Sequence, residues 1–138
     1  MTAPYTIDAI DHVVIRVRDM DAMLRFYCGV LGCRLAKVNA PLGLYHLRAG
    51  LSMIDLIDAG GELGRAGGAL PPEPGGGGRN VDHLALRITP FDEAAIRAHL
   101  AAEGVAAGDA GLRFGAEGDG LSLYVTDPEG NVVELKAS

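Results

Sequence analysis

Two stretches of this chain are near-copies of one phrase. Ile10-Asp11-His12-Val13-Val14-Ile15-Arg16-Val17 is echoed 71 residues later by Val81-Asp82-His83-Leu84-Ala85-Leu86-Arg87-Ile88. Both are strand-like runs. Each is followed by a helix-like stretch and then by further strand-like segments. The period is too long for a solenoid repeat and suits two packed half-domains. A folded duplication of this kind brings equivalent residues together around a pseudo-twofold axis, so two equivalent histidines become candidate ligands of one metal ion.

The local pattern predicts β-α-β-β-β twice. In the first half, residues 10–17 are a strand, and Asp19 or Asp21 caps a helix. The apolar face of that helix is Met20, Met23, Leu24, Tyr27, Val30 and Leu31. Gly32 supplies the left-handed stop, and strands follow over 34–39, 44–49 and 51–58. In the second half, residues 81–88 are a strand and Pro90 opens a helix that Gly104 ends. Strands are expected over 112–115, 121–126 and 132–136. Gly115 to Gly120 reads as flexible, and Asp127-Pro128-Glu129-Gly130-Asn131 as a tight turn. The modules therefore span 8–58 and 81–136. Between them, residues 59–80 are rich in Gly and Pro and have little to pack, so they read as a linker or, in a sharper version, a lid.

The 138 residues suit a single domain with a core of its own, and a composition 49% hydrophobic and 22% charged is that of a globular chain. A net charge of −6 without any basic stripe argues against nucleic acid as a partner. No apolar run approaches the ~20 residues of a membrane span, and no signal peptide is evident. Cys28 and Cys33 match neither a redox nor a zinc-knuckle spacing and read as small, partly buried thiols in a reducing compartment. The expected location is the cytoplasm of a bacterial-type cell, without a membrane partner.

Strand alternation singles out four side chains. Glu134 shares a face with Val132, opposite Val133 and Leu135. An acid in the middle of such an apolar strand is costly to bury unless it is paired or bound to a cation. Asp55 lies in a similar place between Ile54 and Leu56. Each half thus offers one strand histidine and one strand carboxylate, His12 with Asp55 and His83 with Glu134. Two imidazoles and two carboxylates suit one divalent ion: Zn, Ni, Co, Mn or Fe(II). Asp55 could equally face solvent or cap a turn. His46 and Tyr124 are candidates for the wall of the same cavity, whereas His99 lies mid-helix and is expected to touch water.

These features resemble the vicinal oxygen chelate superfamily, the group of glyoxalases, bleomycin-resistance proteins and extradiol dioxygenases. Arg25-Phe26-Tyr27-Cys28-Gly29-Val30-Leu31-Gly32 is similar to its first-helix signature, and Asp127 to Leu135 to its terminal signature. The resemblance runs from residue 8 to residue 136. It implies an α+β fold of two tandem βαβββ modules whose curved mixed sheets surround a metal-binding cup, and a homodimer. It also implies His12, His83 and Glu134 as metal ligands, with Asp55 where glyoxalases place a longer acid or amide. Glu134 or Asp55 would be the catalytic base, and Tyr124 and His46 would line the substrate cavity.

Three functions stay open at this point. The first is a metal-dependent, glyoxalase-like lyase or isomerase that chelates vicinal oxygens of a small substrate. The second is an Fe(II) extradiol dioxygenase, and the third a metal-free binding protein of the bleomycin-resistance type.

Overall fold

A computed structural model describes residues 6, 7, 9–70 and 81–138. The chain divides into two compact units, residues 1–70 and 71–138, and each is an α+β module with one four-stranded mixed sheet.

The first unit runs β1 (His12–Val17), α1 (Met20–Leu24), β2 (Arg34–Asn39), β3 (Leu44–Ala49) and β4 (Ser52–Asp58). Its sheet order is β1-β4-β3-β2, with β1 and β4 parallel and the other pairs antiparallel. Asp19 caps α1 by accepting from the Ala22 amide at 3.0 Å. The helix then widens to π-helical winding over Arg25–Val30, with Leu31 N donating to Phe26 O at 2.9 Å. Alternation sends Val13, Ile15 and Val17 of β1 and Ile54 and Leu56 of β4 to one face. Val17, Leu47, Ile54 and Leu56, with Met23, Phe26 and Tyr27, are the buried apolar set of this unit. Cys28 and Cys33 are free, half-buried thiols. Burial, and then the neighbouring Cys28, pushes the Cys33 thiol up to about 11.

The second unit repeats the order: β5 (His83–Ile88), α3 (Glu93–Ala102), β6 (Ala107–Gly115), β7 (Gly118–Thr126) and β8 (Val132–Ala137). Its sheet order, β5-β8-β7-β6, is that of the first with each strand replaced by its counterpart. Leu100, Leu123, Val125, Val133 and Leu135 are its buried apolar residues.

Three expectations are corrected. Residues 59–70 are not wholly linker, because Glu62–Arg65 form a short helix, α2. The Arg16 guanidinium of β1 donates to the α2 and following carbonyls of Gly64 (3.3 Å) and Gly68 (2.7 Å), giving this glycine-rich stretch the anchor its own side chains lack. The remaining segment of the expected linker, 71–80, lies outside the described residues. The second module's helix begins at Glu93, not Pro90. Asp92 is its cap, accepting from Ala95 N at 3.1 Å, and a side-chain acceptor at that point defines the start better than a proline does. Lastly, Gly115 to Gly120 is not a loose loop. Gly115 pairs with Gly118 across a two-residue turn, Ala116-Glu117, so β6 and β7 form one tight hairpin of nine-residue strands.

Candidate functional site

In the second unit, His83, Ala85 and Arg87 of β5 share a face with Val132, Glu134 and Lys136 of β8 and with Ser122 and Tyr124 of β7. This face is opposite the apolar one and holds nearly all the unit's sheet chemistry. Glu134 is 5% exposed. Its Oε1 lies 3.6 Å from His83 Nε2. The other ring nitrogen, His83 Nδ1, is 2.7 Å from Asp82 Oδ2. A carboxylate only accepts, so Nδ1 carries the proton of the neutral ring and Nε2 keeps its lone pair.

Tyr124 is the cross-strand partner of Glu134 and packs edge-on against His83, ring centroids 5.4 Å apart. Arg113 lies over the other side of the tyrosine ring, 4.5 Å from its centroid. Burial first, and then the hydrogen bond to Glu134, push the Tyr124 hydroxyl above its ordinary value, so it stays a donor. A cavity of about 240 Å³ opens on this face, with His83, Glu134, Arg87 and Lys136 among its walls.

The first unit carries a register copy. His12 pairs with Met53 and Val14 with Asp55, just as His83 pairs with Val132 and Ala85 with Glu134. Asp55 therefore occupies the place of Glu134. His46, the β3 partner of Asp55, occupies the place of Tyr124. Asp55 is 6% exposed, which places it inside rather than in solvent. His46 Nδ1 stands 3.0 Å from Asp55 Oδ1. The ring nitrogen is near enough to pair by charge but does not aim an N–H along that line, and Oδ1 has no hydrogen bond. His12 Nδ1 lies 2.7 Å from Asp11 Oδ1. That bond is the main reason the His12 imidazole holds its proton to a higher pH than usual; the Asp55 charge adds to it and desolvation opposes it.

Within each unit, then, the predicted residues share one face: His12, Asp55 and His46 in the first, His83, Glu134 and Tyr124 in the second. Among the described residues, no three or more His, Cys, Asp or Glu side chains are gathered into a group that could hold a metal ion. His99 is exposed on α3, as expected. Sequence reasoning gave no role to Asp11 and Asp82, although the repetition of Asp before both histidines was the available signal. It also missed Arg87, Lys136 and Glu117 on the cavity wall. Glu117 binds Arg87 at 2.8 Å, a contact made only once the β6–β7 hairpin is closed.

Among the described residues no helix is long and apolar enough to cross a membrane. The chain is 31% identical over 129 residues to the virulence protein STM3117 of Salmonella typhimurium, covering 94% of this chain and 83% of that protein. The crystal structure of that protein superposes with a TM-score of 0.75, over 96% of this chain and 98% of the other. A glyoxalase domain-containing protein of Mycosarcoma maydis, RDO1, is 32% identical over 133 residues, 96% of this chain and 69% of its own. The lactoylglutathione lyase of Agrobacterium tumefaciens shares the fold, with a TM-score of 0.65 at 22% identity over 97% and 96% of the two chains. The family model of the Glyoxalase/Bleomycin resistance protein/Dioxygenase superfamily matches residues 9–135, and the chain belongs to that superfamily.

Proposed function

We propose that this protein is a metal-dependent enzyme of the glyoxalase-like kind, which moves a proton next to a carbonyl of a small substrate carrying two neighbouring oxygens. His12, His83 and Glu134, with Asp55 as a fourth, are its ligands to one divalent ion. The observation that carries this reading is the pair His83 Nε2 and Glu134 Oε1, 3.6 Å apart. Two donors each about 2.1 Å from a tetrahedral ion stand roughly 3.4 Å apart, so the pair has the spacing of ligands sharing a cation. The Asp82 contact at His83 Nδ1 supports it, because metal-bound histidines are commonly oriented by a carboxylate on the other nitrogen. The same contact recurs at Asp11 and His12. The bare Oδ1 of buried Asp55 is the kind of oxygen a cation or a proton would satisfy.

When bound, the ion supplies Lewis acidity toward the two substrate oxygens. Asp55, or Glu134 in its place, takes the proton alpha to the carbonyl and returns it to the neighbouring carbon or oxygen. His46 Nδ1 stands 3.0 Å from Asp55 Oδ1, on the same face. Tyr124 donates its hydroxyl to Glu134 and so helps to orient that carboxylate, leaving its oxygen free to accept from a substrate hydroxyl. The cytoplasm as the place of action and a homodimer as the working form belong to the same proposal, and sedimentation of the purified protein tests the latter.

Metal analysis of protein purified without added metal tests the central claim. Stoichiometric Zn, Ni or Co supports proton transfer, while the absence of any stoichiometric metal overturns it in favour of a metal-free binding protein. His83→Ala should abolish metal binding with the fold intact, and Glu134→Ala should weaken it more than Asp55→Ala. One contact favours a second reading. His46 Nδ1, 3.0 Å from Asp55 Oδ1, can compete with a cation for that oxygen; without Asp55, His12, His83 and Glu134 would make the two-histidine, one-carboxylate set of a non-haem iron dioxygenase. Stoichiometric Fe and catechol-dependent oxygen uptake would select it.

A further inference from the structure

We propose that Lys136, at the end of the second unit's cavity away from His83, binds a carboxylate group of the substrate. This deepens the proposed function, and rests on it only for taking the bound acid to be the substrate.

Lys136 lines the cavity together with Arg87, His83 and Glu134, yet it is only 8% exposed. Burying an ammonium is costly unless it is paired. Among the described residues its partners are two backbone carbonyls, Gly118 O at 3.2 Å and Ala137 O at 3.4 Å. Both bonds are long, neither partner carries charge, and an ammonium has three donors. Arg87 differs, since its charge is met by Glu117 at 2.8 Å. Among the described residues, Lys136 is thus a cation of the cavity wall with no carboxylate in ion-pair contact.

The chain makes room for this cation. A Cβ on Gly115 would lie 2.7 Å from Lys136 Cε, and one on Gly120 would lie 2.9 Å from Nζ. Neither glycine has a positive φ, and each leaves open the space in which the lysine side chain lies, Gly120 also clearing Ala137 O, which a Cβ would approach to 3.2 Å. Lys136 and Glu134 are two apart on one face of β8, about 7 Å along the strand. A substrate held by its oxygens near His83 and Glu134 could thus reach Lys136 with a group two or three bonds further on. A cavity of about 240 Å³ is at the small end of ligand pockets and suits a small molecule. A single ammonium, with Glu134 nearby, matches the one negative charge of a carboxylate better than the near-double charge of a phosphate.

The test uses chelator-treated, metal-free protein, so it stands apart from the metal reading. Binding of 3,4-dihydroxybutyrate, whose carboxylate lies two bonds beyond a vicinal oxygen pair, of its neutral amide 3,4-dihydroxybutyramide and of inorganic phosphate is followed by NMR titration. The acid should bind about tenfold or more tightly than the amide and more tightly than phosphate. Lys136→Met should erase the preference for acid over amide, and Gly115→Ala, whose Cβ would meet only the lysine side chain, should cut it several-fold. If Lys136→Met does not fold, Gly115→Ala decides. Equal binding of acid and amide, a preference that survives in the variant that decides, or tighter binding of phosphate would each overturn the proposal. Metal analysis of each protein before chelator treatment separates this failure from failure of the metal site.

Discussion

Replacing Asp82 with alanine removes the acceptor that sets the His83 tautomer and should weaken metal binding without touching a ligand. Partners on the far nitrogen of a metal-bound histidine are typically worth 10- to 100-fold in affinity. The Asp82–His83 contact is short, at 2.7 Å, which argues for a real effect. The carboxylate is 92% exposed, so water and salt screen it and the low end applies. The expected loss is about tenfold, or ~1.4 kcal/mol. Asp82→Asn keeps an oxygen that can accept from Nδ1 but loses the charge. Charge-assisted bonds are roughly twice as strong as neutral ones, so half the free energy and about a threefold loss are expected. Competition against a chromophoric chelator at low and high salt measures both values, and long-range nitrogen–proton NMR of the His83 ring reads the tautomer. Affinity of Asp82→Ala within twofold of the parent, or a ring proton on Nε2 in the parent metal-free protein, would refute the reasoning.

Three further outcomes are expected. Asp127 accepts from Glu129 N (2.8 Å), Asn131 N (2.9 Å) and Asn131 Nδ2 (2.8 Å) while 4% exposed, so Asp127→Ala should cost about 3 kcal/mol in urea unfolding, and Asp127→Asn clearly less. Gly64→Ala would drive a Cβ into the Asp58 carbonyl oxygen and to 2.5 Å from Ala59 Cα; despite alanine's better helix propensity, it should destabilise by about 1–3 kcal/mol, and an unchanged melting temperature would contradict the packing of α2. Asp11 holds the His12 pKa above 6.5. The resulting stabilisation is complete below the unfolded value and is lost as pH rises through the folded one. Asp11→Ala should bring the His12 midpoint back toward 6.5 in a proton NMR titration, and a midpoint that stays put would show that Asp11 is not the cause.

The duplication, the β-α-β-β-β order and the side chains that share a face were legible because strand alternation and helical period are local properties of the chain. His12 and His83 announced themselves by repetition, and Glu134 by being an acid in an apolar strand. Residues 107–111, Ala-Gly-Asp-Ala-Gly, carried no strand signal. Their extended form comes from pairing with β7, which no local propensity records. The same holds for α2, whose anchor, Arg16, lies some fifty residues away in the chain.

Local pattern alone thus determined which elements form and which face each candidate ligand takes. Pairing between strands distant in sequence decided that Asp55 meets His46, that Glu134 meets Tyr124 and that Lys136 is buried with only backbone carbonyls as its partners among the described residues. The physical reason is range. Periodicity acts over a few residues, whereas desolvation and charge pairing depend on which distant groups the fold brings within a few ångströms.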